Sequence, residues 1–141
     1  MSSASERLRS TLYASLHDQL CELGVECGLL TREQVTGAPR DGTFEQRLLR
    51  DGVLTLAQLS ELRRAAAYRV GRTEDKALGG LMASHGYVPE SVVQASLDLQ
   101  RKTFEEGGRL VRLSELMVRS GTLTPGHLVA LRRLRSLSFS D

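Results

Sequence analysis

One short phrase occurs four times in this 141-residue chain, and it restricts the fold more than any other feature. The copies are Gly28-Leu-Leu-Thr-Arg-Glu-Gln-Val35, Gly52-Val-Leu-Thr-Leu-Ala-Gln-Leu59, Gly86-Tyr-Val-Pro-Glu-Ser-Val-Val93 and Gly121-Thr-Leu-Thr-Pro-Gly-His-Leu128. Each is a glycine, a residue of free type, an aliphatic, then Thr or Pro, with a second aliphatic five residues after the first. The glycines lie 24, 34 and 35 residues apart. An apolar helical pattern precedes every one: Leu20 and Leu23; Phe44, Leu48 and Leu49; Leu78, Leu81 and Met82; Leu113, Leu116 and Met117. Self-similarity at this period marks stacked helical hairpins.

The phrase has a direct physical reading. Gly28, Gly52, Gly86 and Gly121 stand where a helix closes through a left-handed residue, the structural turn glycines of the four copies. The aliphatic two positions later drops into the core. Thr31, Thr55 and Thr124 occupy helix N-cap positions, and Gln34 and Gln58 complete capping boxes three residues on. Pro125 sits at a first helical position, where its missing N–H costs nothing; Pro89 replaces the threonine in the third copy. The expected fold is all-α, with four tandem helix–turn–helix hairpins and about eight helices, over 5–27, 31–37, 43–51, 56–69, 75–85, 90–106, 111–120 and 125–137. Gly37 and Pro39 cut the second helix short. Val70-Gly-Arg-Thr-Glu-Asp75 reads as a divider between a degenerate first pair of repeats with its N-terminal helix (1–70) and a second, basic pair (71–141). Gly107-Gly108 turns the third repeat into the fourth. No stretch alternates at period two long enough to argue for a sheet, and 25 leucines against 4% aromatic residues suit leucine-packed helices.

Charge narrows the functional classes. The net charge is only +2, too small for a general nucleic-acid coat. It is uneven, however: residues 101–141 carry net +4 and residues 1–100 net −2. All basic residues but Lys76 and Lys102 are arginine. Cys21 and Cys27, six residues apart, point to different sides of one helix and read as buried, reduced thiols. Neither stands near His17, His85 or His127 at zinc-ligand spacing, so no metal site is expected. His85 precedes a turn glycine, where an imidazole suits the helix C-terminus; His127 reads as a capping position and His17 as surface. Glu105-Glu106 is a solvated helix end. There is no phosphate-binding glycine loop, nucleophile elbow or zincin motif, so no catalytic residue and no cofactor are expected. With no signal peptide and no apolar run long enough to span a membrane, the expected location is the cytoplasm.

The repeats resemble the motif of the N-terminal regulatory domains of type II secretion and type IV pilus assembly ATPases, also found beside bacterial signalling kinases. That motif reads R-L-G-x-x-L-V-x-x-G-x-I-x-x-x-x-L-x-x-x-L-x-x-Q. The third copy places Leu78, Gly79, Met82, Gly86, Val88, Val93, Leu97 and Gln100 in register, with Lys76 one residue before the arginine position. The fourth keeps Arg112, Leu113, Met117, Val118, Gly121, Leu123 and Leu128, with Ser114 at the small-residue position and Arg135 at the glutamine position. Paired copies in some members bind cyclic di-GMP. The resemblance therefore implies a candidate ligand set of Lys76, Leu78, Gly79, Gln100, Arg112, Leu113 and Ser114. Taken together, these features lead us to expect a non-enzymatic regulatory or adaptor protein of bacterial signalling or secretion machinery that works by binding a protein partner. A cyclic-dinucleotide-binding module is the alternative. A helix-turn-helix nucleic-acid binder, suggested by Arg109, Arg112, Arg119, Arg132, Arg133 and Arg135, is the weaker third reading.

Overall fold

The computed structural model of the chain describes residues 16–138, with side chains for 16–134. Seven helices form among the described residues: α1 (16–26), α2 (Arg32–Val35), α3 (Thr43–Arg50), α4 (Leu56–Ser84), α5 (Glu90–Gly107), α6 (Leu113–Arg119) and α7 (Pro125–Ser138). No strand occurs among those residues. The part of the expected first helix before residue 16 lies outside them.

The same turn is built four times. Gly28, Gly52, Gly86 and Gly121 have φ between +71° and +74°, where a side chain is strained. In each turn the glycine N–H donates to the carbonyl three residues back, and the next two N–H groups share the carbonyl four residues before the glycine. All twelve bonds measure 2.9–3.3 Å. These bonds satisfy carbonyls that a helix end otherwise leaves unpaired. The chain then drops an aliphatic side chain inward: Leu30, Leu54, Val88 and Leu123 are at most 4% exposed. Reciprocal capping follows at Thr31 with Gln34 and at Thr55 with Gln58. The fourth turn closes in the same way with an imidazole. The Thr124 N–H donates to His127 Nδ1 at 3.3 Å, and the His127 N–H donates to Thr124 Oγ1 at 3.2 Å.

The described residues divide into two compact units that part between Val70 and Gly71. Leu20, Leu23, Leu30, Phe44, Leu48, Leu54, Leu59, Leu62 and Ala66 form the core of the first. Leu78, Met82, Val88, Val93, Leu97, Leu113, Met117, Leu123 and Leu131 form that of the second.

Some expectations need correction. Residues 70–74, expected to lie between two helices, are helical: α4 runs unbroken through them, which merges the expected helices 56–69 and 75–85 into one. A single glycine costs a helix only about 1 kcal/mol relative to alanine, and α4 contains no proline. Gly71 is there for packing, since a Cβ on it would come within 2.8 Å of Leu110 Cδ2. His17, in turn, is not a surface residue. It is half-buried, with its ring edge-on to Phe44 at 5.5 Å between centroids and its Nε2 3.5 Å from Cys21 Sγ.

Candidate functional site

The second half of α4 carries Asp75, Leu78, Gly79 and Met82 on one helical face, because residues three, four and seven apart stack above one another. Leu78 and Met82 are core residues, so the same face carries Asp75 inward, where it is 1% exposed. A buried carboxylate is costly unless it is paired and hydrogen-bonded. Asp75 is both. Its Oδ2 accepts from Gln100 Nε2 at 2.6 Å and from the Leu113 N–H at 2.9 Å. Arg112 forks onto it, Nε to Oδ2 at 3.1 Å and Nη2 to Oδ1 at 3.0 Å. Arg112 Nη2 also reaches Glu74 Oε2 at 3.2 Å.

Gln100, fully buried on α5, extends this network. Its Nε2 also donates to the Val111 carbonyl at 2.9 Å, and its Oε1 accepts from Arg72 Nη1 at 3.4 Å. Arg72 Nη1 donates to the Leu97 carbonyl at 2.9 Å as well. Among the described residues, no buried side-chain nitrogen or oxygen lacks a partner. Burial alone would favour the neutral form of Arg112, but the hydrogen bonds and charges of Asp75 and then Glu74 outweigh it and hold the guanidinium above its ordinary value.

The sequence explains why a carboxylate belongs here. The N-cap of α6 is Arg112, which makes no side-chain cap bond, and its charge has the wrong sign for a helix N-terminus. Asp75 supplies the missing acceptor from another helix. Counted back from the turn glycines, His17 and Thr43 hold in the first unit the places of Asp75 and Arg112 in the second. There α3 is capped locally: Asp41 accepts the Thr43 N–H at 3.0 Å and the Thr43 hydroxyl. The first unit thus packs an imidazole against Phe44 where the second buries a salt bridge.

The residues that the motif would gather lie partly in the core of the second unit and partly at its surface. Gln100, Arg112 and Leu113 meet at Asp75. Leu78 lies in the core, and Ser114 is half-buried in the first turn of α6. Gly79 is tightly packed, since a Cβ there would come within 2.5 Å of Val93 Cγ1. Lys76 is exposed and lines, with Arg72, Gly79, Gly80, Glu90 and Gln94, an open cleft of about 250 Å³ beside α4 and α5. Of the arginines expected to make the C-terminal lobe basic, Arg109 and Arg119 both pair with Glu115, at 3.7 and 2.7 Å; the side chain of Arg135 lies outside the described residues. The sequence reading gives no role to Arg72 and Glu74, which fall in its divider, or to Asp75, the first residue of its helix over 75–85. The available signal was an acidic residue one helical turn before Leu78 and two turns before Met82, in phase with the apolar face.

No group of three or more His, Cys, Asp or Glu side chains among the described residues is placed to hold a metal ion, and none of their helices is long and apolar enough to cross a membrane. Compared with models of protein families, with curated proteins and with solved structures, the chain matches none.

Proposed function

We propose that this chain is a non-enzymatic adaptor of four helical hairpins that regulates bacterial signalling or secretion machinery by binding a protein partner in the cytoplasm. The fourfold turn supports the repeat reading. The observation that carries the functional reading is the engagement of Arg112 by Asp75 and Glu74. A cyclic-dinucleotide site of the kind the resemblance implies would draw on Arg112 and Gln100 to hold phosphate or guanine, yet both spend their hydrogen bonds inside the fold. Turning Arg112, whose side chain is 41% exposed, toward a ligand would leave the buried Asp75 without its cation, a cost of about 1–3 kcal/mol for an acceptor left unsatisfied. A ligand would have to overcome that cost. Leu56, Leu99 and Val129, between 50% and 66% exposed, are apolar positions a protein partner can cover.

A second reading is favoured by the cleft beside Lys76 and Arg72, whose two cations suit a phosphate-bearing small molecule. Calorimetric titration of the whole chain with cyclic di-GMP up to near-millimolar concentration decides between the two. The adaptor reading expects no heat of binding. Saturable heat of binding would overturn it.

A further inference from the structure

We propose that the exposed face of α7 is the docking surface for an acidic amphipathic segment of the partner protein, an inference that rests on the adaptor reading and deepens it. Leu131, completely buried, and the half-buried Leu128 hold the inner face of α7. The reciprocal bonds between Thr124 and His127 fix its first turn, and His127 lies edge-on to Tyr87 at 5.5 Å. The helix is therefore a preformed element, which lowers the ordering cost of binding.

Its outer face mixes two chemistries. Val129 is 53% exposed, and Arg132 and Arg133, three and four residues later on the same face, are both exposed. Other arginines of the second unit are neutralised at home: Arg101 by Asp98, Arg109 and Arg119 by Glu115, Arg112 by Asp75 and Glu74. Arg132 and Arg133 form no ion pair among the described residues, and the sequence has no acidic residue between Glu115 and Asp141. The complement of this face is a segment with an apolar side chain set one helical turn from carboxylates. Guanidinium is suited to it because it grips a carboxylate bidentately. Nucleic acid fits less well: its affinity comes from many neutralised phosphates, whereas this face offers two cations beside an exposed valine.

Fluorescence anisotropy on the full chain tests the assignment. The probes are a fluorescein-labelled helical peptide of leucines and glutamates at i, i+4 spacing, an all-glutamate peptide of equal length, and a short duplex DNA. Three outcomes are expected. The mixed peptide binds the wild type at least about tenfold more tightly than either other probe. The double reversal Arg132→Glu/Arg133→Glu weakens it at least about tenfold, as does Val129→Asp. The control Arg32→Glu/Arg47→Glu, which reverses two exposed arginines of the first unit, leaves it unchanged. All these positions are on the surface, so an unchanged melting temperature certifies each variant as folded. Tighter binding of DNA or of the all-glutamate peptide, no binding of the mixed peptide, or equal loss in the control overturns the α7 assignment. Failure here with no heat from cyclic di-GMP leaves the adaptor reading standing, whereas heat from cyclic di-GMP removes both.

Discussion

Cys21 and Cys27 lie six residues apart, yet their surroundings differ. Cys21 is 8% exposed, and burial, then the negative charge of Asp18, push its thiol up from the ordinary value. Cys27 is exposed. Titration of the native chain with a thiol reagent should give one fast equivalent, lost in Cys27→Ser, and a second at least about tenfold slower, because the thiolate is the reactive form. Two equally fast thiols would contradict the burial of Cys21. Acid titration tests two exposed carboxylates. The hydrogen bond from Arg69 holds Glu26 below the usual carboxylate range, and hydrogen bonds from Thr43 do the same for Asp41. A pKa lower in the folded than in the unfolded chain contributes stability above the unfolded value and loses it as pH falls through the folded one. Wild-type melting temperature should therefore drop as pH falls below about 5, and Glu26→Gln/Asp41→Asn should flatten part of that drop. At this scale the caps Thr31, Thr55 and Thr124 were legible in the sequence because capping is local chemistry. Asp75 was not, because its partners Gln100, Arg112 and Leu113 are 25 to 38 residues away.

The helices and their turns separate two kinds of glycine. At Gly86 and Gly121 a Cβ would meet nothing within 4 Å, so Gly→Val there should cost only the left-handed backbone penalty, about 1–2 kcal/mol. Gly79 is helical and carries no such penalty, but a Cβ there would strike Val93, so Gly79→Val should cost about 1–3 kcal/mol by overpacking. Its denaturant midpoint should fall below the wild type; an unchanged midpoint would contradict the packing of α4 on α5. Hydrogen exchange bears on α4 itself. Amides of residues 70–75 should be protected as helix interior, and exchange at loop rates would restore the break between two helices expected from the sequence. The helix ends were readable because glycine, threonine and proline mark them. The continuity of α4 was hidden by Gly71, whose reason is the close approach of Leu110.

Over the whole molecule, the two units share one scheme of turn and core but differ in how they secure the helix before their second turn, α3 in the first and α6 in the second. The first uses an aromatic contact and the local cap Asp41; the second uses a buried carboxylate reaching across three helices. The fourfold phrase made the all-helical scheme legible, since glycine spacing and apolar phase survive in the sequence. The role of Arg112 was not, because the same residue can face a phosphate or an internal carboxylate and only tertiary placement decides. That placement is the central claim, and a double-mutant cycle of Asp75→Asn and Arg112→Met, read from equilibrium unfolding without ligand, tests it most directly. The two residues should couple by about 1.5–3 kcal/mol, as expected for a charge-assisted pair in contact. Additive losses would show that Arg112 is not committed to Asp75 and would return it to a ligand.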